Sequence, residues 1–164
     1  MEKLTHNITK VLSIILITLM SVMVIDVTWQ VFTRFILKDP SGFTEELAGF
    51  LLIWIGLLGA SYAYRTKAHL GIDVLTAKFS GFKKLASEIL VSVIVFLFAL
   101  FLLVIGGLRL VDITFTLKQI SPAIGIPMGY IYLVLPVTGI LFMYYAVVFI
   151  LESVKENKPK GRVF

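Results

Sequence analysis

Residues 85–110 read LASEILVSVIVFLFALFLLVIGGLRL, and between Glu88 and Arg109 this stretch carries no charge. A helix needs about 20 apolar residues to cross the hydrocarbon core of a bilayer, and this run supplies them. Working outward, runs of the same kind cover Val11–Phe35, Thr44–Tyr64 and Ile126–Leu151. Backbone polar groups in lipid must bond within their own segment, so each run reads as helix and not as open sheet. The expectation is an all-α integral membrane protein, with four transmembrane helices in a single membrane domain over residues 1–164.

Composition supports this reading. Charged residues make up 15% of the chain and hydrophobic ones 59%, where a soluble domain carries about 25% charged residues. The net charge of +5 sits in short loops and tails, so it speaks for orientation and not for nucleic acid. The absence of cysteine excludes disulfide chemistry, thiolate metal sites and iron–sulfur clusters. Two histidines, His6 and His69, are too few for a pair of bis-histidine haems. Lys3 and Lys10 before an apolar run imitate the start of a signal peptide. That run is too long, however, and no small-residue cleavage site follows, so it reads as the first membrane helix. A polytopic chain of this size has little room for a pore or a substrate cavity of its own.

Of the fifteen Lys and Arg residues, eleven fall in the two termini and the middle loop, and four in the other two connections. The positive-inside rule then places both termini and the middle loop in the cytoplasm. Within that loop Ile72, Leu75, Phe79 and Phe82 recur at helical spacing. A short amphipathic helix over roughly 72–83, lying in the cytoplasmic interface, fits the pattern, with Lys78, Lys83 and Lys84 facing lipid headgroups. Ser121-Pro122 and Gly125-Ile126-Pro127 turn the third connection, and Pro136 predicts a kink in the fourth helix.

Few residues invite chemistry. Asp26 is the one carboxylate well inside a span, where a charge costs roughly 2.5–3.5 kcal/mol on insertion scales. It reads as a packing contact to another helix or subunit, or as a proton or cation site. Arg34 ends the first helix and Glu45 and Glu46 open the second, so a hairpin brings them within ion-pairing reach. Arg109 and Asp112, three apart, can pair on one face. Gly56-x-x-x-Ala60 and Gly59-x-x-x-Ala63 on the second helix admit close helix approach, as do Ser92, Ala99 and Gly106 on the third. Trp54 sits mid-span instead of in an interfacial belt, which points to a buried protein contact.

The stretch Gln30-Val31-Phe32-Thr33-Arg34, followed by Pro40, Phe43-Thr44-Glu45-Glu46-Leu47, Gly59-Ala60, Arg65, His69 and Ile72-Asp73, resembles the small membrane subunit, DctQ type, of tripartite ATP-independent periplasmic (TRAP) transporters. Motif detail covers the first half; the second half matches as two further spans. Members often carry Trp before the Ser/Thr-Glu-Glu run, and here Phe43 keeps the aromatic ring without the indole donor. The resemblance implies a bacterial inner-membrane protein that is not catalytic and holds no cofactor. It would scaffold a large membrane subunit that moves an organic acid (a C4-dicarboxylate, sialic acid or another sugar acid) on a sodium gradient. Sodium would bind that partner, and a periplasmic substrate-binding protein would deliver the cargo. Asp26, Gln30, Arg34, Glu45, Glu46, Trp54, Gly56, Gly59, Ala60, Arg65, His69 and Asp73 become candidate structural or subunit-contact residues.

Two other readings stand beside it. An autonomous, dimeric, proton-coupled antiporter would use Asp26 and would need aromatics such as Trp29 facing a cavity around it. A membrane enzyme would need a nucleophile–base pair or a metal-ligand set, and the sequence offers neither.

Overall fold

The computed structural model describes residues 2–39, 41–66 and 82–156. Four helical segments in it are long and apolar enough to span a bilayer: Glu2–Leu37, Gly42–Arg65, Lys84–Thr116 and Met128–Lys155. The first begins earlier than the apolar run at Val11. Its polar opening turns are pinned to the fourth span, where Thr5 Oγ1 meets Tyr144 OH at 2.8 Å and Thr9 Oγ1 meets Tyr145 OH at 3.2 Å. The interfacial helix expected over 72–83 falls outside the described residues except at its end. There Phe82 and Lys83 open the helix Phe82–Phe98 of the third span.

The first span packs on the second, the second on the fourth, and the fourth on the third. The second and fourth are therefore the inner members of the row, with the first and third at opposite edges. In the most apolar stretch of each, only 11% of the first span is buried, against 39% of the fourth. Lipid tails are as apolar as Leu, so burial of apolar area does little to join helices inside a bilayer, and close backbone approach does more. Glycines supply that approach between the third and fourth spans. A Cβ on Gly107 would lie 2.8 Å from Leu135 Cβ and 3.0 Å from Pro136 Cδ, and one on Gly139 would lie 2.7 Å from Val104 Cγ2.

The third span changes helix type as it passes these contacts. Residues Ala99–Gly106 form a π-helical stretch between Phe82–Phe98 and Gly107–Thr116. A π turn holds more residues than an α turn, so the buried stripe steps by four through it. Buried Ser92 and Ala99 continue as Leu103, Gly107 and Val111. The seven-residue spacing in the sequence points instead to Gly106, which is exposed. That spacing assumed an unbroken α-helix.

The kink expected at Pro136 is a one-residue break within the fourth span, with Leu133 still in the helical region at φ -56 and ψ -23. Met128–Tyr132 and Val134–Glu156 are separate helices joined at Leu133. Proline has no N–H for the carbonyl four residues back, and its ring crowds that turn. The indole of Trp54 reaches into the break and donates from Nε1 to the Ile131 carbonyl at 3.1 Å.

Candidate functional site

At the end of the bundle that carries the termini, the second and fourth spans are clamped. Arg65 sits in the last turn of the second span, and Glu152 near the end of the fourth. The guanidinium donates from Nη1 to Oε2 at 3.0 Å and from Nη2 to Oε1 at 3.1 Å, a parallel fork. Its carbon also lies 5.2 Å from the centre of the Phe149 ring. The third span is tied in alongside, where Ser153 Oγ donates to Glu88 Oε2 at 2.9 Å. Lys84 stands 3.9 Å from the other oxygen of Glu88, so its ammonium has an acidic neighbour within the chain.

Midway along the second span, the small residues divide. A Cβ on Gly59 would meet Leu16 of the first span at 3.9 Å, so Gly59 and half-buried Ala60 lie toward the chain's own helices. Gly56 and Gly49 have nothing within 4 Å and are exposed. On the first span Leu12, Asp26 and Thr33 are buried, with Leu16, Leu19, Met23 and Gln30 half-buried between them, which makes one stripe at spacings of three and four. Asp26 is 6% exposed, and its Oδ2 has no hydrogen-bond partner among the described residues. Leu16 beside Gly59 sets the antiparallel register of the two spans and puts Asp26 near the level of Gly49. Trp29 does not share the burial of Asp26: it is 53% exposed and stacks on Phe32.

At the opposite end the expected ion pair does not form. Among the described residues no salt bridge joins Arg34 to Glu45 or Glu46. Glu46 turns to the third connection instead, where its Oε2 accepts from the Ala123 amide at 2.8 Å and the Ile124 amide at 3.0 Å. Two convergent N–H groups in a turn hold a carboxylate in fixed geometry, whereas the exposed arginine offers a mobile, solvated partner. The turn is shaped by Gly125 at φ +80 and by the amide of Gly125 donating to the Ser121 carbonyl at 2.9 Å. Arg109 and Asp112 are both exposed and unpaired with each other, because screening by solvent leaves such a pair little net gain.

His69, Asp73 and Lys78 lie outside the described residues, as does the side chain of Lys83. Sequence reasoning missed Glu152, Glu88, Gly107 and Gly139. The Glu residues had a signal, since each is an acidic residue in the end turn of an apolar span on the Arg65 side. Gly107 and Gly139 had none that separates them from Gly49 and Gly56.

This arrangement packs, clamps and turns the spans. Among the described residues no group of three or more His, Asp or Glu is placed to hold a metal ion. The family model described as "Tripartite ATP-independent periplasmic transporters, DctQ component" matches residues 23–156. A Haemophilus influenzae protein named "Putative TRAP transporter small permease protein" is 28% identical over 141 residues, 86% of each chain. The Vibrio cholerae "Sialic acid TRAP transporter small permease protein SiaQ" is 32% identical over 78 residues, 48% of this chain and 43% of that one. The H. influenzae "Sialic acid TRAP transporter permease protein SiaT" is 34% identical over 120 residues, which is 70% of this chain and 18% of that much longer protein.

Proposed function

The chain belongs to the DctQ family of tripartite ATP-independent periplasmic transporters, and from that premise we propose that it scaffolds a large membrane subunit in sodium-driven uptake of an organic acid. It is a multi-pass membrane protein and a small permease subunit. The finer reading rests on one observation above all: the second span is tied to the others at both ends and by Trp54, yet only 11% of the first span's most apolar stretch is buried. A rigid block with an open edge suits a static support that widens the hydrophobic footprint of a moving partner. Sodium and substrate would bind that partner, and a periplasmic binding protein would deliver the cargo. Sialic acid is the cargo named for two of the relatives, which supports a sugar acid without selecting one.

The location follows the same reading: the inner membrane, with both termini and the middle loop in the cytoplasm. Asp26, buried with an unpartnered oxygen, keeps the proton-coupled antiporter as the second reading. Liposomes separate the two. The purified chain alone should accumulate no labelled organic acid under a sodium or proton gradient. Adding the large subunit and a loaded binding protein should start sodium-dependent uptake. Gradient-driven accumulation by this chain alone would overturn the scaffold and leave the antiporter.

A further inference from the structure

Two cavities meet at the end of the bundle that carries the termini, and they differ in chemistry. The first, about 430 Å³, is the more polar, with Glu2, His6, Thr9, Arg65 and Glu152 in its wall beside the Phe149 ring. The second, about 260 Å³, is lined by Val148, Leu151 and Val154, with Lys155 beside them. Glu2, Thr5 and Glu152 belong to both walls, so the polar and apolar spaces are contiguous. They lie where the first and fourth spans leave the hydrocarbon, since polar residues 2–10 and Glu152–Lys155 flank apolar runs there. A polar pocket that opens into an apolar groove at a membrane boundary is shaped for an amphiphile.

The charges select its head. Two carboxylates, Glu2 and Glu152, face one guanidinium in the polar pocket. Arg65 spends two of its five N–H donors on Glu152, and three remain for phosphate oxygens. Lys155 at the groove adds a second cation on the phosphate side. Glu2 has no ion-pair partner among the described residues. A headgroup that joins a phosphate to a primary ammonium matches both signs. A purely anionic headgroup could use Arg65 and Lys155 but would leave Glu2 facing it without a counter-charge.

We propose that this composite pocket is a binding site for a phosphoethanolamine-bearing lipid, with the phosphate on Arg65 and Lys155, the ammonium on Glu2, and one acyl chain along Val148, Leu151 and Val154. The site extends the scaffold reading without depending on it, because it needs only the membrane. It ties a lipid to the two spans that Thr5 and Thr9 already join.

Native mass spectrometry of the full chain, released from nanodiscs of equal phosphatidylethanolamine, phosphatidylcholine and phosphatidylglycerol, tests it. One phosphatidylethanolamine should be retained per chain, about tenfold over phosphatidylcholine, the ratio expected when trimethylation removes one charge-assisted hydrogen bond. Glu2→Gln should abolish that preference with helicity unchanged. Leu151→Trp should fill the groove and lower retention of all three lipids, while Glu45→Gln at the far end should change nothing. Equal retention of the three lipids, preference for phosphatidylglycerol, or an unchanged preference in Glu2→Gln would overturn the site. Free phosphoethanolamine displacing the lipid at equal concentration would overturn the lipid as the source of the headgroup.

Discussion

The Arg65–Glu152 fork ties the second span to the fourth, while Glu46 ties the second span to the turn after the third. These two contacts differ in how a substitution should register. The side chains of Arg65 and Glu152 are 23% and 41% exposed, so solvent screens the pair, and about 0.5–1 kcal/mol of coupling is expected. A double-mutant cycle with Arg65→Ala and Glu152→Ala, read by denaturant titration in micelles, should show that coupling; strictly additive losses would remove the clamp. Glu46 has no such partner charge, so Arg34→Ala and Glu46→Ala should be additive in the same assay. Glu46→Ala alone should expose the Ala123–Ile124 segment to proteolysis, which Glu46→Gln should do less. Sequence alone named Arg65 as a contact residue without a partner, and it paired Glu46 with Arg34 where the structure gives it the Ala123 and Ile124 amides. Glu152 and Ala123 lie 87 and 77 residues away, and no local spacing encodes which distant segment folds back onto a charge.

At the scale of helices, apolar runs long enough to span a bilayer were legible because lipid forces the backbone to close its own hydrogen bonds. Their faces were not, because helices apolar all round carry no stripe to mark an inner side. Small residues therefore looked equivalent along the second and third spans, and the π-helical stretch Ala99–Gly106 moved the third span's contact from Gly106 to Gly107. The structure now separates them by test. Gly139→Ala would push a methyl to 2.9 Å from Leu103 Cβ and 3.1 Å from the Val104 nitrogen, and backbone cannot yield as a side chain can. A loss of about 1–3 kcal/mol is expected from such overpacking. Gly56→Ala meets nothing within 4 Å and should be neutral or slightly stabilising, since Ala favours helix by about 0.5–1 kcal/mol. Thermal melts of the two variants in the same micelles rank them; equal losses would mean that the third and fourth spans do not approach as described.

Across the whole molecule, the spans cross an even number of times, so the termini share a side, and charge decides which. Arg65, Glu152 and Lys155 gather at the terminal end, while Arg34, Lys38, Arg109 and Lys118 mark the other. Moving a cation-rich segment outward costs more than moving a cation-poor one, because the translocation machinery and the membrane potential both hold Lys and Arg on the inner side. The eleven-to-four asymmetry is spread over three separate segments, so no single loop decides it. The terminal end and the middle loop should therefore face the cytoplasm. The chain has no native cysteine, which leaves Ser80→Cys as the only thiol in a labelling experiment. An impermeant maleimide applied to intact spheroplasts should leave that site unmodified and should label it once the membrane is broken. A cysteine introduced by Lys118→Cys should show the reverse and react from outside. Labelling of Ser80→Cys in sealed spheroplasts would invert the molecule and place the proposed lipid pocket in the outer leaflet.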